Sequence, residues 1–136
     1  MKCLELGKIE LWNEEGSSGV MKEEEHKYTV SNSGSSALHV TVPVKEGKRY
    51  LLFARSKGDG KTGLNAKWRT INGVWNNYQH AKTVSSIVSP DGYSRAVLIF
   101  EAPKDAGKAS LQFYVRDQQE HESVTVDKLE WFEIPK

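Results

Sequence analysis

A chain of 136 residues is the length of one domain and can bury a core without metal or disulfide staples. Its 19 Lys and Arg against 18 Asp and Glu give no field of one sign, which argues against a phosphate backbone or an anionic membrane as partner. The single cysteine, Cys3, excludes an internal disulfide and a cysteine zinc cluster, and the longest apolar run, 96–100, is far short of the ~20 residues that span a bilayer.

The opening MKCLELGKIELW is interrupted by charge too often to hold the roughly 7 to 15 apolar residues of a signal-peptide core. From there two-residue alternation dominates, and it predicts strands over 8–12, 27–30, 37–42, 49–57, 65–71, 83–88, 94–101, 110–116 and 123–134. That many short strands predict an all-β fold of two stacked antiparallel sheets. The intervening SNSGSS (31–36), SKGDGKTG (56–63), SPDGY (89–93) and APKDAGK (102–108) are rich in turn formers and read as loops inside one domain spanning 1–136. KEEEHK (22–27) and DQQEHE (117–122) read as solvated loops or strand edges, where charge discourages aggregation. No repeat and no helical pattern stands out.

Alternation also assigns faces. In SLQFYVR, Leu111, Phe113 and Val115 share the core side, while Ser110, Gln112, Tyr114 and Arg116 share the other. That second set suits a surface gripping something polar, or an ordinary wet face. In LNAKWRTI, Trp68 reads as core and Arg69 as a face residue. The core is expected to include Leu38, Tyr50, Leu52, Phe100, Leu111, Phe113, Val124 and Val126. The stretch INGVWNNYQH opens on an Asn-Gly turn signal and sets Trp75 and Tyr78 among Asn76, Asn77, Gln79 and His80.

Several segments together resemble the jelly-roll carbohydrate-binding modules of families four, nine and twenty-two, a galactose-binding-like β-sandwich group. KIELWN (8–13) is similar to their opening strand, GSSALHV (34–40) to their G-x-x-A-L-x-V strand, and EGKRYLLFARSK (46–57) to the strand ending F-x-A-R. YSRAVLIFEAPKDAGKASLQFYV (93–115) resembles the F-x-A-P segment followed by L-x-F, and VTVDKLEW (124–131) resembles V-x-I-D-D-V-x-L. The order holds over nearly the whole chain. Isoleucine replaces the first-strand phenylalanine, Val20 and Met21 fall where many members have tryptophan, and Lys128 replaces the second aspartate.

The resemblance implies a non-catalytic module that binds a polysaccharide or oligosaccharide, extracellular as part of a larger, polysaccharide-active enzyme, with a cytoplasmic chain as the alternative. A pyranose offers C–H faces to aromatic rings and a rim of hydroxyls to amides and charges. On that chemistry Trp75 and Tyr78 read as stacking platforms, or Trp75 as a lid on the sandwich edge. Asn76, Asn77, Arg69, Gln112, Tyr114 and Arg116 read as polar and face contacts. Stacking worth ~1–3 kcal/mol per ring predicts micromolar to millimolar binding. The resemblance also implies one structural Ca²⁺ where first and last strands approach, held by Glu10, Asp127 and carbonyls at Ser31 and Ser33, unless the two carboxylates simply pair with lysines.

No G-x-S-x-G elbow, H-E-x-x-H helix or P-loop is present, and His26, His39, His80 and His121 lack metal-ligand spacing. The competing readings are a structural or protein-interaction sandwich from a surface or virion protein, and an enzyme built on the same scaffold.

Overall fold

The computed structural model describes residues 1–31, 34–70 and 82–135. Within them the chain forms β1 (Lys2–Leu4), β2 (Glu10–Asn13), β3 (Val20–Glu24), β4 (Lys27–Ser31), β5 (Gly34–Pro43), β6 (Arg49–Gly58), β7 (Lys61–Thr70), β8 (Lys82–Ser85), β9 (Ile87–Val88), β10 (Ser94–Glu101), β11 (Ala106–Gln118) and β12 (Ser123–Ile134), and no helix. Every pairing is antiparallel. One sheet runs β3-β4-β12-β6-β10-β9, with β1 beside the second half of β12; the other runs β2-β5-β11-β7-β8. The two form the expected all-β sandwich.

The chain changes sheet at most turns, so the corners must be tight. Between β6 and β7 only Asp59 and Gly60 make the crossing, and Gly58 before them has φ +142°; a Cβ there would overlap the Ser123 carbonyl on the paired strand. Asp59 is tied down by its N–H to Ser123 O at 2.8 Å and by its carboxylate accepting from Ser123 N–H at 3.2 Å. Between β8 and β9 a single residue, Ser86, makes the crossing, with its N–H donating to Thr62 O at 2.9 Å.

The inward side chains of the two sheets meet in one apolar core. Leu38, Leu64, Leu111, Phe113 and Val115 come from the five-stranded sheet and Val30, Leu52, Val124, Val126 and Trp131 from the seven-stranded one. One end is aromatic: Tyr50 stacks on Trp131 at 4.8 Å, Phe100 lies 5.7 Å from Trp131, and Trp68 from the opposite sheet meets Phe100 edge-on at 5.4 Å. The Tyr50 hydroxyl accepts the Lys45 N–H at 2.9 Å, which satisfies its polar end. All of Leu38, Tyr50, Leu52, Phe100, Leu111, Phe113, Val124 and Val126 are buried as expected.

Several boundaries differ from the sequence reading. β1 and β3 were not anticipated: β1 is only three residues, and VMKEE in β3 lacks alternation and forms a strand because it pairs with β4 along the sheet edge. SKGDGKTG is largely strand and APKDAGK enters β11 at Ala106, because turn-forming residues are tolerated where a neighbouring strand supplies hydrogen bonds. Ser31 ends β4, and β5 already begins at Gly34 inside SNSGSS.

Phe113 is 1% exposed at the centre of this packing. Its replacement by alanine is expected to cost ~3–5 kcal/mol of folding free energy. Equilibrium denaturation of the variant measures this.

Candidate functional site

The outer face of the five-stranded sheet follows directly from its register. One row crosses the strands as Trp12, Ala37, Tyr114, Gly63 and Ser85; the next runs Glu10, His39, Gln112, Asn65 and Thr83. Small residues therefore flank Tyr114, and a continuous polar row lies beside it. Gly63 is where it must be, since a Cβ at that position would overlap the Tyr114 hydroxyl and ring and the Val84 carbonyl.

Trp12 is held in place from both directions. Its strand is bonded to β5, and the following Asn13 clasps Gly19 reciprocally, accepting its N–H at 2.8 Å and donating to its carbonyl at 3.2 Å. The indole is 40% exposed and stacks on the buried His39 imidazole with centroids 3.4 Å apart and planes 19° off parallel. His39 Nε2 is hydrogen-bonded to the buried Ser110 hydroxyl. Burial, and secondarily the Arg69 charge, push the imidazole below its ordinary pKa of 6.5, while Glu10 pulls the other way. At neutral pH the ring is uncharged.

The rest of the polar row is chained together. Asn65 donates to Gln112 Oε1 at 3.2 Å and accepts from the Thr83 hydroxyl at 3.1 Å. Tyr114 donates to Ser85 Oγ at 3.3 Å, and the Arg116 guanidinium covers its ring at 4.6 Å. A recess of about 210 Å³ opens here, lined chiefly by Trp12, Asn13, Ala37, Gln112, Tyr114 and Arg116, with Glu14 at its rim.

The structure brings Gln112, Tyr114 and Arg116 to this face, and Arg69 lies farther along it. Tyr114, read from the sequence as a face contact, is 9% exposed and forms a floor beneath Arg116. Trp75, Asn76, Asn77, Tyr78, Gln79 and His80 lie outside the described residues, as does Ser33.

Of the residues expected to hold calcium, Glu10, Ser31 and Asp127 are among those described. Glu10 sits in the five-stranded sheet, whereas Asp127 belongs to β12 in the other, and β12 pairs only with β1, β4 and β6. Both Asp127 oxygens accept from Arg55, whose Nε donates at 3.0 and 3.2 Å and whose second nitrogen also bonds. The carboxylate is thereby held below its ordinary pKa of 3.8. Among the described residues no three His, Cys, Asp or Glu side chains gather as a metal would need.

Two features were missed in the sequence. In KIELWN, alternation places Glu10 and Trp12 opposite Ile9 and Leu11, so Trp12 was available as a face residue but was read only as a family signature. On the other sheet Arg55, Lys57 and Arg95 surround the Tyr93 ring at 4.8, 5.1 and 5.9 Å, an arrangement that brings together strands distant in sequence.

No protein-family model matches the chain, and no curated protein matches it. Among solved structures it is similar to the enzymatically active domain of tailspike protein 4 from bacteriophage CBA120, with 12% identity and a TM-score of 0.66, over 93% of this chain but 19% of the tailspike's length. A CBM4 carbohydrate-binding module aligns with 14% identity and a TM-score of 0.61, covering 93% of this chain and 86% of the module. The CBM22-1 xylan-binding domain of Paenibacillus barcinonensis Xyn10C aligns with 8% identity and a TM-score of 0.58, covering 93% and 86%. The chain thus has the β-sandwich fold of carbohydrate-binding modules.

Two titrations follow. Because the His39 pKa is depressed, its ring should titrate in NMR spectra with a midpoint below 6.5, and protonation should lower stability as pH falls through that midpoint. Because the Asp127 pKa is also depressed, its pair with Arg55 stabilises the fold above the carboxylate's unfolded pKa, and that contribution disappears as pH falls through the lower folded value. Asp127→Asn should therefore cost ~1.5–3 kcal/mol at neutral pH. The gap to the parent protein should close in strong acid, which pH-resolved denaturation measures.

Proposed function

We propose that the protein is a non-catalytic carbohydrate-binding module, and that a polysaccharide or oligosaccharide lies on the outer face of the five-stranded sheet. The observation that carries the reading is the pairing of a half-exposed indole with a continuous row of hydrogen-bonding groups one register step away. The C–H face of one sugar would rest on the side of Trp12 away from His39, and hydroxyls of its neighbours along the glycan would meet Gln112, Asn65 and Thr83. The row is already internally bonded, so little side-chain ordering would be needed on binding.

Residues 71–81 contain no Asp or Glu and so add no carboxylate to this face. Glycoside hydrolysis by the usual route needs two carboxyl groups flanking one bond, whereas Glu10 on the edge strand β2 and Glu14 beside the recess lie four residues apart along one margin of the sheet. Such a module would act outside the cell as part of a larger enzyme, with Trp75 and Tyr78 as further platforms for a longer chain.

The second reading, a structural or protein-interaction sandwich, is favoured by the opposite sheet. There Val97 and Ile99, exposed at 46% and 57%, pair with Phe53 and Leu51, and Phe132 pairs with Leu51 from the other side. A protein neighbour would suit that apolar surface.

Affinity electrophoresis on a panel of plant and bacterial polysaccharides separates the two. Trp12→Ala should weaken binding of a retained glycan by ~1–3 kcal/mol and, because it also removes the stack on His39, lower the melting temperature modestly without unfolding the domain. Trp75→Ala and Tyr78→Ala should weaken it further only if the ligand reaches that segment. Retention of no glycan at high protein concentration would leave the structural sandwich as the better account.

A further inference from the structure

The near-balance of charge in the whole chain is not uniform over its surface. By register, the outward positions of β11 and β7 in the five-stranded sheet carry Lys61, Lys67, Arg69, Lys108 and Arg116, against Glu10 on β2, Glu14 beside the recess and Asp117 at the end of β11. The whole chain has 19 Lys and Arg and 18 Asp and Glu, so the acidic excess lies elsewhere. Residues 71–81, which join β7 to β8, contain no Asp, Glu, Lys or Arg and leave this imbalance as it is. Lys61 is engaged by Asp117 at 3.1 Å. Lys67, Lys108 and Arg116 form no ion pair among the described residues.

These cations fall in two groups at opposite ends of the strands. At one end Arg116 lies opposite Lys61 and lines the Trp12 recess together with Glu14. At the other, Lys108 lies opposite Arg69, and Lys67, opposite Ser110, is two residues away along the strand. From Lys108 to Arg116 β11 extends about 27 Å, with neutral hydroxyl and amide groups between. A continuous polyanion would call for an unbroken run of charge. Two separated groups of cations with sugar-compatible polar groups between them suit a chain bearing acidic groups at intervals. Arg116 also lies over the Tyr114 ring at 4.6 Å and lines the recess, and a guanidinium there offers a planar fork for a two-point contact with a carboxylate or sulfate.

We infer that the ligand of this face is an anionic glycan, carrying carboxylate or sulfate groups that Arg116 and Lys67 read while Trp12 stacks on a sugar ring. The inference rests on the carbohydrate reading and adds a charge requirement to it.

The test compares retention of the intact protein by polygalacturonate and by the same polymer with its carboxylates reduced to primary alcohols, and by a sulfated galactan and its desulfated form. Melting temperatures of all variants are checked in parallel. At least one charged polymer should be retained several-fold more tightly than its neutral partner, and the difference should shrink as NaCl is raised and the charges are screened. Which pair splits identifies the acidic group. Arg116→Gln and Lys67→Gln should each weaken the charged polymer about two- to fivefold, the scale of exposed ion pairs, and together remove the preference. Both residues are exposed, so the fold should survive. Trp12→Ala should weaken charged and neutral polymers alike. Equal retention within both pairs would overturn the charge inference and leave the carbohydrate reading standing. Retention of none of the four polymers, with no glycan held in the broader panel, would overturn both. Equal retention of polyglutamate would show attraction to any polyanion and would also overturn the inference.

Discussion

The constraint on which the molecule depends is the two-residue period of β11. This strand lies at the centre of the five-stranded sheet, bonded to β5 on one side and β7 on the other over almost its full length. Its even and odd positions supply the functional face and the core respectively, so a slip by one residue would put Leu111, Phe113 and Val115 into water and bury Gln112 and Arg116. The hydrophobic effect therefore fixes the register, and the register fixes which polar groups lie side by side. At the end of β11 the alternation is broken by a bulge: Asp117 takes φ 58°, and Gln118 turns inward to donate from its amide to Val30 O at 3.1 Å and Asp59 O at 3.2 Å. The interruption joins the strand to the opposite sheet.

The outer face of the five-stranded sheet is drier than a typical solvated sheet surface. His39, Ser110 and Tyr114 are buried on the side that faces away from the core. Trp12 supplies part of this shelter by lying flat over His39, and Arg116 does the same for Tyr114. In such surroundings a hydrogen bond is worth more than it is in water, and a group left unpaired costs more. The closed chain through Thr83, Asn65 and Gln112 is consistent with that balance, because each amide has a partner before any ligand arrives.

Much of this was legible in the sequence where a segment alternates cleanly. The core positions of 110–116 and 123–126 and the face shared by Gln112, Tyr114 and Arg116 follow from period alone, since geometry makes side chains alternate, whereas a bulge between Val126 and Lys128 shifts the phase that turns Trp131 inward. What was not legible depends on pairing. VMKEE has no amphipathic pattern and becomes a strand only because β4 offers an edge. The engagement of Asp127 depends on Arg55, 72 positions earlier, lying opposite in the next strand. The sequence offered Asp127 as a free carboxylate for calcium, and only the register shows that a guanidinium is already there. Tyr114 was correctly placed on the outer face, but its covering by Arg116 depends on a rotamer, which no pattern of residue types encodes.

The crossing at Ser86 ties the two sheets together at their margins. β8 closes one edge of the five-stranded sheet, and two residues later β9 closes an edge of the seven-stranded sheet. With one residue between them, there is no slack for either margin to detach while the other stays in place. Unzipping of an edge, the cheapest local opening in most sheets, must here begin in both layers at once. On the side of the sandwich bordered by β8 and β9, exchange of the two margins with solvent is thus coupled, one edge to the other.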